Sequence, residues 1–164
     1  MHFRRFGCAV VLAATLFTPA SPAKAQTVPQ GTIDKLTSLM QQDGFDYKTT
    51  SSPTVFVIHF TGTHLKDIKV VIALGNDEDS DLVVFVTVTP KATMPATADF
   101  RGTLLGFNHE FDQVKVGFDA DDDLSVRIDA SMRVADATYV KNVINQVKNA
   151  SDEIYGKIQS QLNP

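Results

Sequence analysis

Between residues 54 and 89 the chain alternates with period two in three runs, 54–60, 68–74 and 82–89, joined by links too short to hold a helix. Such links join neighbouring strands antiparallel, so this segment specifies a three-stranded meander. The alternation is unusual in being apolar on both phases. Phe56, Ile58 and Phe60 share one phase while Val55 and Val57 take the other. In the second run Ile68, Val70, Ile72 and Leu74 oppose Val71 and Ala73, and in the third Leu82, Val84, Val86 and Val88 oppose Val83 and Phe85. A sheet with one wet face does not need that second set. The stripe Val57, Val71, Phe85 therefore calls for a cover, which the middle helix, a second subunit or a protein partner could supply, and it is the candidate partner-binding site.

Helical spacing flanks the meander. Thr32 is positioned to cap a helix with Ile33, Leu36, Leu39 and Met40 on one face, and Gly44 ends it. After Pro90 and Pro95, Phe100, Leu104, Phe107 and Phe111 recur at helical intervals behind a Thr97 cap. A hairpin follows over 114–118 and 124–130, with Val114, Val116, Phe118, Leu124, Val126 and Ile128 facing the core and Lys115, Arg127 and Asp129 facing water. A last helix begins at Asp136 and reaches about Gln161, carrying Val140, Ile144, Val147, Ile154 and Ile158. The expected fold is a single α+β domain in the order α-β-β-β-α-β-β-α, with a five-stranded antiparallel sheet packed by helices.

The first 25 residues read as an export signal. Arg4 and Arg5 precede an apolar run over 6–17, and Ala23-Lys24-Ala25 gives the small-x-small pattern of a signal peptidase site. The run is shorter than a membrane-spanning helix requires, so no stable membrane insertion is expected. Removing the leader, which holds Arg4, Arg5 and Lys24 and no acid, changes the net charge from −4 to −7 and discards Cys8, the one cysteine. An acidic chain of this kind does not seek nucleic acid by bulk charge. A thiol-free product suits the bacterial periplasm, with passage beyond an outer membrane left open. Residues 26–31 are expected to be a flexible tail, and residues 32–164 the folded domain.

The segment Leu104-Leu-Gly-Phe-Asn108, the stretch VKVGFDADDDLSVRID over 114–129, and a long final helix with Tyr155 near its end are together similar to the YbjN family. That resemblance implies a type III secretion chaperone-like fold and a noncatalytic regulator of sensory transduction acting through protein partners. It carries over no catalytic residue. Asp122-Asp123 stands where the family usually has Asp-Gly, which argues against a tight two-residue turn in the last hairpin.

Chemistry-bearing candidates are few. Two acidic turns, Asp77, Glu78, Asp79, Asp81 and Asp119, Asp121, Asp122, Asp123, offer oxygen ligands. The second fails as a calcium loop, because Leu124 occupies the position that needs Gly and Ala130 the one that needs Glu. These acids are expected to solvate hairpin turns. His59 and His64 could approach each other across a short turn, while His109 stands apart, and no third ligand follows from spacing. No nucleophile elbow, Ser-x-x-Lys motif or phosphate-cradling glycine loop occurs. The chain is expected to be non-enzymatic, to need no metal or other cofactor, and to bind a protein partner or form a homodimer. The other reading is a small-molecule or lipid carrier with a pocket between the sheet and the last helix. The exported product should begin at Gln26 and lack lipid, and its intact mass checks both; retention of Cys8 would overturn the compartment assignment.

Overall fold

The structure, a computed structural model, describes residues 27–75 and 81–163. The export signal with its cleavage site, and Asp77, Glu78 and Asp79 of the first acidic turn, lie outside the described residues. The elements are α1 (Gln30–Gln42), β1 (Tyr47–Thr49), β2 (Val55–Phe60), β3 (Ile68–Leu74), β4 (Leu82–Thr89), α2 (Ala98–Glu110), β5 (Lys115–Phe118), β6 (Leu124–Ala130) and α3 (Ala137–Ile158). Short 3-10 turns at Lys91–Thr93 and Gln159–Gln161 follow β4 and α3.

The sheet has six strands, not five, in the order β1-β2-β3-β4-β6-β5, with every neighbouring pair antiparallel. The additional strand, β1, pairs Tyr47, Lys48 and Thr49 with Ile58, Val57 and Phe56. Three residues ahead of Thr50-Ser51-Ser52-Pro53 are too few to display a period of two, so tertiary pairing rather than local pattern makes this strand. Tyr47 anchors it by an edge-to-face contact with Phe56, with ring centroids 5.6 Å apart.

Helix starts and stops follow capping chemistry. The first helix begins two residues before Thr32. Pro29 occupies its N-cap with φ −60°, and Val28 packs on the core, so the expected tail is shorter than residues 26–31. At the other end Gly44 takes φ +72°, letting the Phe45 N–H reach the Met40 carbonyl at 3.0 Å in a Schellman-type close. Thr97 and Asp136 cap α2 and α3 by accepting from the Phe100 and Tyr139 N–H groups.

All three helices lie on one side of the sheet. The α3 residues Val140, Ile144, Val147, Ile154 and Ile158 are buried against Val70, Ile72, Val84, Val86, Val126 and Ile128, and Leu36 and Met40 of α1 join the same core. The middle helix sits beside the end of α3. Lys157 of α3 pairs with Glu110 and lies over the rings of Phe107 and Phe111 at 5.7 and 5.4 Å. The amide of Asn108 clamps α2 to the outer edge of β5, accepting from the Val116 N–H at 2.8 Å and donating to the Val116 carbonyl at 3.0 Å.

A second clamp joins α3 to the β2–β3 turn. The Asp152 carboxylate accepts the backbone N–H groups of Thr63, His64 and Leu65, each at 2.8 Å. The approach is so close that a Cβ on Gly62 would stand 2.3 Å from Asp152 Oδ1, and one on Gly156 would stand 2.6 Å from the His64 ring. Burial pushes the Asp152 carboxyl up, but the three N–H donors, Leu65 foremost, outweigh it and hold the group below the usual carboxylate range.

Two predictions follow from this packing. Val126→Asp or Ile128→Asp places an unpaired charge in the core and should cost about 4 kcal/mol or more, whereas Arg127→Asp on the wet face should cost about 1 kcal/mol. Equal shifts in urea midpoint would contradict the register. Asp152→Ala should remove about 1.5 kcal/mol at neutral pH, at the low end for charge-assisted bonds because the turn is open to water. A depressed folded pKa stabilises above the unfolded value near 3.9, and that stabilisation fades as pH falls through the folded value. The gap between parent and variant should therefore close in acid, as urea titrations at stepped pH would show.

Candidate docking face

Side chains on the outer phase of the strands point away from the helices. The register aligns one row across all six strands, Lys48, Val57, Val71, Phe85, Arg127 and Lys115, each paired with the next. A parallel row runs Val55, Ala73, Val83, Asp129, and on the other side His59 pairs with Lys69 and Thr87 with Ser125. The three candidate residues Val57, Val71 and Phe85 are thus brought together as direct cross-strand neighbours. Val57 is buried, while Val71 and Phe85 are half-buried. Phe85 walls a groove of about 390 Å³ with Val83, Lys115, Gly117, Ser125 and Arg127.

The middle helix does not cover this face. Its Phe100, Leu104 and Phe107 enter the core on the side of α3, because the Asn108 clamp and the Lys157 contacts hold it there. Among the described residues no helix lies over the stripe. The groove expected between the sheet and α3 is filled instead, with Ile144, Val147, Ile154 and Ile158 all at 0% exposure. A surface cavity of about 280 Å³ lies elsewhere, among Met94, Pro95, Phe100 and Phe118, with Lys91, Arg101 and Asp122 at its rim.

Cations border the apolar centre. Lys115 and Arg127 both hold Asp129, at 2.6 and 3.1 Å from its Oδ2. Burial raises the Asp129 carboxyl, yet the Lys115 hydrogen bond and the Arg127 and Lys115 charges more than compensate and leave it lowered. Lys48 and Lys69 are exposed, and neither has an ion-pair partner among the described residues. Alternation marked Lys115 and Arg127 as outward; Lys48 escaped notice with its strand.

The acids and histidines are placed for structure. Asp119 accepts from the N–H groups of Asp121 and Asp123 inside the last hairpin turn, and Asp123 accepts the Lys91 N–H. Asp122 adopts φ +62° and pairs with Lys91 at 2.5 Å, which lowers its carboxyl chiefly through that hydrogen bond. The turn is longer than two residues, as Asp122-Asp123 suggested. Asp81 is not a solvating turn residue; it accepts the Met132 N–H at 2.6 Å and ties the ends of β4 and β6. His59 pairs with Asp67 at 2.9 Å on the outer face, whereas His64 lies against Gly156, so the two are engaged in different contacts. Among the described residues no group of three or more His, Cys, Asp or Glu side chains is arranged to hold a metal ion. No helix among them is long and apolar enough to cross a membrane.

No family model and no curated protein matches the chain. Among solved structures it is similar to a chain of the crystal structure of the ExsC–ExsE complex. The TM-score is 0.55 at 11% identity, covering 79% of this chain and 93% of that one. The likeness is one of fold. It supports the α+β architecture of an antiparallel sheet with three helices among the described residues.

Proposed function

We propose that this chain is an exported YbjN-like domain that binds another polypeptide in a chaperone-like or regulatory role and performs no catalysis of its own. The observation that carries the reading is the outer face of the sheet, where Val57, Val71 and Phe85 stand in one register row with no helix among the described residues over them. Two half-buried apolar side chains, Val71 and Phe85, aligned beside the buried Val57 across the middle of a sheet make a surface that gains by being covered. The fold shared with a chain from a two-protein complex supports the same reading. The resemblance over 104–130 supports a YbjN-like character, and the leader over 1–25 supports a periplasmic location.

Phe85 is the largest member of the row, and large aromatic groups near the centre of a contact patch dominate its binding energy. Phe85→Ser should therefore abolish capture of a polypeptide that the parent retains from periplasmic extract. Because the ring is only half-buried, the same change should cost folding about 1–2 kcal/mol, less than the 3 kcal/mol or more of a core truncation. Urea midpoints, sedimentation and capture compared between parent and variant check this. A large fall in midpoint with capture unchanged would make Phe85 ordinary core and end the proposal.

A further inference from the structure

The charge of the outer face is opposite to that of the chain. The whole sequence carries −4, yet the outward strand positions hold four cations, Lys48, Lys69, Lys115 and Arg127, against one carboxylate, Asp129. Of the acids at its rim, Asp67 pairs with His59 and Asp119 accepts the amides of its own turn, while Asp46, two residues before Lys48, is exposed. Asp129 is shared between Lys115 and Arg127 and cannot neutralise both. Lys48 and Lys69 form no ion pair among the described residues. Charge beyond about 8–10 Å is screened at physiological salt, so a ligand touching this face responds to these side chains and little to the acidic body.

Geometry sets the spacing of a ligand. Neighbouring strands lie about 4.8 Å apart, so Val57 to Phe85 spans about 10 Å and Lys48 to Arg127 about 19 Å. Apolar groups fit the centre and negative groups the two ends. We infer that the occupant of this face is an acidic amphipathic segment of a partner polypeptide, its apolar side chains on Val57, Val71 and Phe85 and its flanking carboxylates on Lys48 at one end and Arg127 and Lys115 at the other, with Lys69 of β3 beside the centre of the row. This rests on the polypeptide-binding reading above and adds the sign of the partner's charge. Complementary charge of this kind selects partners and speeds their encounter.

The test uses three labelled synthetic peptides with a common Leu-Ser-Phe-Ser-Val centre, flanked on both sides by two Glu, two Gln or two Lys. From its second to its eighth residue an extended peptide of this length spans about 20 Å. With the full-length mature protein, the Glu-flanked peptide should bind about tenfold more tightly than the Gln-flanked one, as a few exposed ion pairs allow, and raised salt should erase that margin. The Lys48→Glu, Lys69→Glu double variant should reverse the order in favour of the Lys-flanked peptide. Lys48→Gln, Lys69→Gln, with its urea midpoint measured beside the parent, should reduce the margin without reversal. Equal binding of all three peptides, lost together in Phe85→Ser, would overturn the acidic partner and leave polypeptide binding standing. Binding of none would overturn both. Salt-sensitive self-association that the double variant abolishes would make a second copy the occupant and overturn this inference.

Discussion

Everything else in the molecule depends on one face of one helix. The 22-residue α3 is about 33 Å long, and its apolar stripe lies against the inner phase of β3, β4 and β6. Fully burying a Val, Leu or Ile side chain contributes about 1.5–3 kcal/mol, and α3 supplies several, which makes it the dominant cover of the sheet. Once it is seated, α1 fills the space at one flank and α2 the other, where Lys157 meets Glu110 and the phenylalanines. Three helices crowd onto one side, and the second side of the sheet is left to the outer row.

That asymmetry explains the two-phase apolar pattern of the central strands. A doubly covered sheet would show it throughout, and here β6 loses it, with Arg127 exposed and Asp129 tied up in ion pairs. The apolar character of the outer face is confined to β2, β3 and β4, with Lys69 on β3 and further cations on the flanking strands β1, β5 and β6. Confinement keeps the apolar patch small.

Strands β2–β6, the apolar faces of the helices and the caps at Thr97 and Asp136 were legible in the sequence, because each is a local signal of period or capping, but Phe118, expected on the core face, is 48% exposed at the end of β5. Alternation placed Val126 and Ile128 inward and Arg127 outward, as the structure has them. What escaped is nonlocal. Strand β1 exists through its pairing with β2, and Asp152 looks like any exposed acid on a helix until the turn at 62–65 folds onto it. Val57, Val71 and Phe85 could be grouped by phase, but only the register makes them neighbours, and only the position of α2 leaves them uncovered. Asn108 lay inside the stretch that carries the family resemblance, with nothing local to announce its bond to Val116.

The two side-chain clamps differ greatly in how much chain they enclose. Asn108 and Val116 are eight residues apart, whereas Asp152 and His64 are separated by 88. Closing the longer loop costs the disordered chain about 2 kcal/mol more entropy by the logarithmic scaling of loop closure. The amide clamp can therefore shape the α2–β5 corner while most of the chain is still unstructured. The carboxylate clamp waits until α3 has docked, and so acts as a latch on a finished core rather than as a guide to building it.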